Sequence, residues 1–473
     1  MEQTEKTNSD RTLKRSLSPL HVWALAFGCI IGGSAFFMPA NTFLPTAGPL
    51  GPVIAMLAAA GIMILIAFNY HYMVNRLPEA GGEFAYARSA FGNRHAFICS
   101  WFLSLSYIAL VPLNATLLGV VGKYLIGDVF RFGYMYHVAG YDVFAGEVVL
   151  SVGTLLFFAW MNVRGIRIAG WMQMILSFAL LLGVAAVTTA AFCSPSASIG
   201  NLHPVFPAGK AVLPGILAVM AVSPWAFVGF DTIPQTAEEF NFPHTKTRRI
   251  MVFAILFGAA VYISLNTVTA SVLPAGYADW TAYVEDVQNL SGIDSLPTFH
   301  AAKSLLGNGG LFFIGIAVMS AALAGVVGFF VAASRLLFSM ARERFLPAWF
   351  AKLHGKHATP CNAILFVLAI SVIAPFFGRT VLGWVVDMSS IGAAIGFAYT
   401  SAATLKSAAR ERRTGMMISG LIGTICSAVF IVLLLVPIPG ISCTLIREEY
   451  IALAVWIVIG FIFYMLSAKK QVR

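Results

Sequence analysis

Gly28-Cys29-Ile30-Ile31-Gly32-Gly33-Ser34-Ala35-Phe36 interrupts the first long apolar run of this chain, and Ser223-Pro224-Trp225-Ala226-Phe227-Val228-Gly229-Phe230-Asp231 interrupts the sixth. Each lies in the middle of a stretch long enough to cross a bilayer, where a helix normally avoids glycine and proline. Broken helices at corresponding positions in two halves of a membrane chain point to a substrate site between the halves.

Composition agrees. Of 473 residues, 59% are hydrophobic and 11% charged, with a mean hydropathy of +0.83. A soluble domain averages about 25% charged residues. Twelve spans are expected, at 21–44, 50–75, 94–126, 146–162, 167–192, 211–236, 249–273, 309–342, 361–377, 380–403, 414–437 and 450–468. The first follows a polar, basic segment and is too long, and without a small-residue cleavage site, for a removable signal peptide. An even count places both ends on one side. With the N-terminus inside, 24 of the 30 Lys and Arg fall on the inner side, so both termini are expected in the cytoplasm. The net charge of +10 is then topology, with contact to anionic lipid, and not a nucleic-acid footprint.

The organisation follows from the breaks. A cytoplasmic N-terminal tail (1–20) precedes five spans (21–192) that can be laid on the next five (211–403). Five is odd, so the second unit is inverted in the membrane, a recurring transporter architecture. Two further spans (414–468) and a short cytoplasmic tail (469–473) lie outside the repeat. The 76–93 connection alternates aromatic and charged residues, which suits a short helix lying at the inner interface. The 274–308 connection carries Asp279, Glu285, Asp286 and Asp294; it is either a cover over an outer vestibule or a solvated loop. Six scattered cysteines without a C-x-x-C argue against a metal or redox site. Cys193 and Cys443, both near the outer surface, either pair or stay as separate thiols.

At this point the residues resemble a family. Ile31-Gly32-Gly33-Ser34-Ala35-Phe36 is similar to the I-G-S-G-I-F break of amino acid–polyamine–organocation transporters. Pro78-Glu79-Ala80-Gly81-Gly82-Glu83-Phe84-Ala85-Tyr86 resembles their P-x-A-G-G-E-Y-x-Y loop, and Phe227-Val228-Gly229-Phe230-Asp231 with Glu238-Glu239 and Pro243 resembles their sixth-span block. Ser334-Arg335-Leu336 through Leu346-Pro347 resembles the end of their eighth span. Within the family the likeness runs towards basic amino acid/polyamine antiporters of the arginine/agmatine type: Met38-Pro39-Ala40-Asn41, Asn114 before Tyr124-Leu125, and Trp225 before Asp231 all match. The resemblance implies an all-α integral membrane protein of twelve helices with a five-plus-five inverted repeat (the LeuT-like fold), broken in helices 1 and 6. It implies no cofactor.

The chemistry of a zwitterion fits the same residues. Unwound backbone at Ile31, Gly32, Gly33, Ser34 and Ala35 offers N–H groups and a positive helix end to a carboxylate. Carbonyls left free by the break from Trp225 through Ala226 and Phe227 to Gly229 can accept from an ammonium group. Glycine for helix packing is the competing reading. Trp225 and Phe36 are candidate gates, or else packing aromatics. Asn114 lies mid-span, so its amide either bonds to backbone loosened by Pro112 or faces the substrate. Asp231 and Asp387 are acids at membrane depth, where a carboxylate costs roughly 2.5–3.5 kcal/mol. Both are proton-coupling candidates; Asp387 has a structural hydrogen-bond role as its alternative.

Two absences matter. Sodium-coupled relatives use a Ser/Thr pair in the eighth span; here the positions are Leu323 and Ala324, with no side-chain oxygen for a hard cation. Some proton-coupled relatives place a Lys in the fifth span; here that position is Leu180. The aromatic that holds guanidinium in the arginine/agmatine antiporter corresponds to Val327, which speaks against arginine.

The expectation is a sodium-independent amino acid or amine permease working by alternating access, by exchange or proton-linked. It would sit in the cell membrane, of a bacterial inner-membrane type, among lipid, with a homodimer compatible and no nucleic-acid partner. The alternatives are a polyamine or organocation transporter, or a ligand sensor or channel on the same scaffold. Without H-E-x-x-H, G-x-S-x-G or a His cluster, an enzyme is not expected.

Overall fold

The computed structural model describes residues 13–138, 141–378, 380–438 and 444–471. It is built almost wholly of helices: α1 Pro19–Ile30, α2 Leu50–Val74, α3 Glu83–Phe91, α4 Asn93–Ile126, α5 Ala145–Arg164, α6 Ile166–Cys193, α7 Val212–Ala221, α8 Ser223–Phe227, α9 Thr232–Gln235, α10 Thr247–Ser271, α11 Trp280–Asp286, α12 Pro297–Leu306, α13 Asn308–Arg342, α14 Cys361–Ser371, α15 Thr380–Arg410, α16 Thr414–Leu435 and α17 Arg447–Gln471. Among the described residues, eight helices are long and apolar enough to cross a membrane, and α1, α7 and the 361–377 stretch are shorter apolar segments. A two-stranded hairpin (Tyr134–Val138 with Tyr141–Phe144) joins α4 to α5, a feature absent from the expected span plan.

Local signals set the helix starts. Ser18 caps α1 with Pro19 at its first position, and the His21 ring returns a bond to the Ser18 N–H. α3 begins after Gly81 and Gly82, both at positive φ, where side chains from Ser339 and Pro234 crowd in. Glycine is the residue that meets both demands.

α13 and α4 form the centre. Of their apolar windows 83% is buried, against 17% for α17, which marks α17 as peripheral. α13 packs on α4 and α6 and crosses α1 and the turn that follows it. α15 packs on α4 and α16, and α10 lies along α1 and α2. Exposed leucine, isoleucine and phenylalanine cover the outward faces, as a lipid-facing surface requires. Polar cross-links tie helices together inside: Asn69 of α2 donates to Ser401 of α15 and to the Ser419 carbonyl of α16.

The 76–93 connection differs from an interfacial helix. Glu83, Phe84, Ala85, Tyr86 and Ala87 are all buried. The charge expected to face water is folded inward: Glu83 accepts from the Tyr70 hydroxyl (2.8 Å) and the Gln235 amide (2.6 Å). Two buried donors and apolar neighbours outweigh an amphipathic pattern only a helix turn or two long. The 274–308 connection is folded into short helices rather than a solvated loop. Trp280 is buried and donates to the Pro204 carbonyl, and Asp279 caps α11. Cys193 is exposed, while Cys443 lies outside the described residues.

Candidate substrate site

The two breaks meet at the centre of the bundle. α1 leaves helical geometry at Ile31 (φ −100°, ψ 70°), Gly32 is extended, and Gly33–Phe36 closes into one 3₁₀ turn. Opposite, α8 stops at Phe227, Val228 turns (φ −54°, ψ 120°) and Gly229 takes φ 149°. A Cβ on Gly229 would come within 2.8 Å of the Ala26 carbonyl and of Ile30, so this glycine is where one break touches the other.

The freed backbone is only partly repaired. The Tyr262 hydroxyl donates to the Ile30 carbonyl (3.2 Å). The Gly33 N–H donates to Asn114 Oδ1 (3.0 Å), and Asn114 Nδ2 donates to the Leu110 carbonyl (2.9 Å). Asn114 is therefore a splint between α4 and the first break. Among the described residues, the N–H groups of Gly32 and Ser34 and the carbonyls of Ala226, Phe227 and Val228 have no backbone partner. The buried hydroxyls of Ser34 and Ser223 have no partner either. Each unmet buried group costs about 1–3 kcal/mol. The first break thus leaves donors unmet and the second leaves acceptors unmet.

Between them lies a cavity of about 10 Å³, lined by Cys29, Ile30, Gly32, Ser34, Leu110, Leu113, Asn114, Trp225 and Phe329. This is about the room of one water, so the conformation is closed. No charged side chain lines it. Of the residues expected at the site, Gly32, Ser34, Asn114 and Trp225 reach this cavity. Ile31, Gly33, Ala35, Phe36, Ala226, Phe227 and Gly229 are buried around it without lining it.

Asp231 lies just past the second break and is fully buried. Its Oδ1 accepts from the Gly229 N–H (2.6 Å) and its Oδ2 from the Tyr107 hydroxyl (2.7 Å). It holds the turn of its own break. Asp387 is elsewhere: it shares a side-chain hydrogen bond with Glu449 at the start of α17 and does not line the cavity.

Sequence reasoning missed Gln173, Tyr107 and Tyr262. Gln173 of α6 donates to the Ala324 carbonyl (3.2 Å), and Ser177 donates to the Ala24 carbonyl (3.0 Å). They tie α6 to α13 and to α1. A signal existed: two polar residues four apart, on one face of an apolar helix. The Glu238-Glu239 pair also finds its role. Glu239 makes a fully buried two-point ion pair with Arg335 (3.1 Å each), and Glu238 pairs with Arg342 (2.6 Å). The motif clamps the segment after the second break to the end of α13.

Broken apolar helices around a small central cavity are the arrangement of a multi-pass membrane protein. The amino acid permease family matches residues 17–464, and the chain belongs to it, within the amino acid–polyamine–organocation superfamily. It is similar to the branched-chain amino acid permease of Bacillus subtilis, at 24% identity over 98% of this chain and 95% of the relative. It is 22% identical to the methylthioribose transporter of the same organism, over 100% of this chain and 97% of the relative. An uncharacterised transporter of Rhizobium meliloti is 26% identical over 82% and 77%. The chain is a transporter and not an enzyme.

Proposed function

We propose that this protein carries a neutral amino acid, or a small amine, across the membrane by alternating access. The observation that carries the reading is the pairing of unmet N–H groups at Gly32 and Ser34 with unmet carbonyls at Ala226, Phe227 and Val228. A zwitterion's carboxylate suits the first set and its ammonium group the second. The remaining wall is Ile30, Leu110, Leu113, Trp225 and Phe329, which supports an uncharged side chain over a guanidinium. Relatives named for branched-chain amino acids and for methylthioribose share the scaffold, so the choice of substrate rests with this wall. Trp225 and Phe36 are the proposed gates, and the 10 Å³ cavity is the closed state between two open ones.

The architecture proposed is twelve spans, with 21–192 and 211–403 as inverted repeats, both termini cytoplasmic, in a bacterial inner membrane. Sodium independence is part of the proposal. Leu323 and Ala324 offer no side-chain oxygen, and the Ala324 carbonyl already accepts from Gln173. Coupling is assigned to a proton on Asp231, in exchange or in symport. As a carboxylate it accepts two hydrogen bonds; a proton turns one oxygen into a donor and costs one of them. Losing the Gly229 bond would loosen the break.

Proteoliposomes offered labelled alanine, leucine, serine, lysine and putrescine in turn test the reading. Accumulation of a neutral amino acid above that of lysine and putrescine is expected. Uptake confined to lysine would overturn the reading, and uptake confined to putrescine would overturn the neutral amino acid and leave only the amine.

A further inference from the structure

A cleft of about 690 Å³ opens at the end of the bundle that carries the N-terminal segment, well outside the central cavity. Lys14, Arg15, Arg164, Arg167 and Lys356 line it, and no carboxylate does. Among the described residues, none of the five has an acidic partner; Arg164 rests on the Trp160 ring. Like charges gathered without a counter-ion repel one another, more so at the edge of a low-dielectric body. Burial first, and then the neighbouring His354, Lys356, Arg164 and Lys14, hold the His357 imidazole below its ordinary pKa. The start of α6 also opens into the cleft. Gly165, before its first residue, gives it no side-chain cap, so the positive end of a 28-residue helix adds to the field. The cleft's other wall is apolar and outward-facing: Leu20, Ile168 and Trp171 are 45%, 49% and 48% exposed. A tryptophan beside aliphatic side chains on a span is the composition of a headgroup-level belt.

We propose that this cleft seats the phosphodiester headgroup of an anionic membrane phospholipid, with its acyl chains along Leu20, Ile168 and Trp171. The cations come from the N-terminal segment, the α5–α6 connection and the loop before α14, three separate pieces of chain. The headgroup would therefore tie the base of α1, which carries the first break, to the neighbouring elements. The volume is in the range of small-molecule pockets. The cation set matches the basic pockets between spans that hold anionic lipid.

The test uses the purified full chain in zwitterionic detergent micelles, with melting followed as phosphatidylglycerol, phosphatidylcholine or inorganic phosphate is added. Phosphatidylglycerol should raise the melting temperature saturably, and phosphatidylcholine should not. Three exposed cations are removed in Arg164→Gln/Arg167→Gln/Lys356→Gln. At about fivefold per cation, the apparent Kd for phosphatidylglycerol should weaken on the order of 100-fold. Arg248→Gln/Arg249→Gln, exposed and outside the cleft, should change it less than about threefold. Should the triple variant not fold, Lys14→Gln/Arg15→Gln should weaken binding about 25-fold on the same arithmetic. Equal losses in cleft and control variants would reduce the effect to general surface charge and overturn the proposal. An unchanged Kd in the cleft variants would overturn it too. Full protection by inorganic phosphate at the same concentration would make this a free-anion site and refute the lipid assignment.

Discussion

Single residues at the two breaks show how little space decides function here. Gly33 gives its N–H to Asn114, and a Cβ on it would lie 3.0 Å from that of Ala322 in α13 and 3.4 Å from Leu117. A branched side chain there forces the break away from both helices, and it narrows torsions that glycine allows. Gly33→Val is expected to lose substrate binding by at least tenfold while the protein still folds, as judged by melting and by titration of the substrate found in the uptake screen. Binding as tight as wild type would take the carboxylate away from this break. Asp231→Asn tests the coupling. The amide can still accept from one donor, but it cannot titrate. Transport by the variant is expected to lose its pH dependence, with equilibrium binding kept within a few-fold. A pH profile that does not change would remove Asp231 as the titrating group and leave Asp387, with Glu449, as the next pair to assay.

At the scale of elements, buried charge ties the segment after the second break to the end of α13. The Arg335–Glu239 pair is fully buried and two-pronged. Arg335→Met strands a carboxylate in the interior, so a loss of about 3–5 kcal/mol is expected from chemical unfolding in detergent. Arg342→Met, at the partly exposed pair with Glu238, should cost about 1 kcal/mol or less. Similar losses from both would mean that the burial difference carries no energy. Glu83, in the connection between α2 and α4, gives a pH signature. Burial first, and then the Asp231 charge, raise its carboxyl well above the ordinary range. A raised carboxyl favours the fold while protonated. That stability is present below the unfolded value of about 4.3 and is lost as pH rises through the folded value. Glu83→Gln keeps a neutral group beside Tyr70 and Gln235. Its melting temperature is expected to fall less than wild type's as pH rises from acid, and parallel curves would contradict this.

Across the whole molecule, the proposed sodium independence rests on how α1, α6 and α13 come together. Gln173 and Ser177 bridge these helices with neutral donors, where a cation would need a shell of oxygens. Replacing sodium by choline in proteoliposomes should leave uptake within a few-fold. A drop of more than about tenfold, or 1.4 kcal/mol, would place an ion site in this bundle. Closure of the centre to 10 Å³ is likewise a property of the whole. On the proposed alternating access, opening it parts α4 and α13 from the two breaks, and a bound substrate can favour only the state it contacts best.

Membrane class, the stretches taken by the long helices and the position of both breaks were readable in the sequence. Apolar runs, glycine and proline act locally, so Ile31–Gly33 and Val228–Gly229 depart from helix where their residue types say they must. The family was readable as well, because its P-x-A-G-G-E loop and sixth-span block are short contiguous strings. What Asn114 does was not. The structure shows it splinting Gly33, a backbone partner 81 residues away, and lining the cavity, while contact with substrate stays part of the proposal. Nor could the chain show Glu83 as buried, Gln173 as a bridge or Tyr107 as the partner of Asp231, since those pairings span 124 to 152 residues. Buried polar groups must find partners, but which partner is nearest depends on how helices far apart in the chain are packed, and only the tertiary structure decides that.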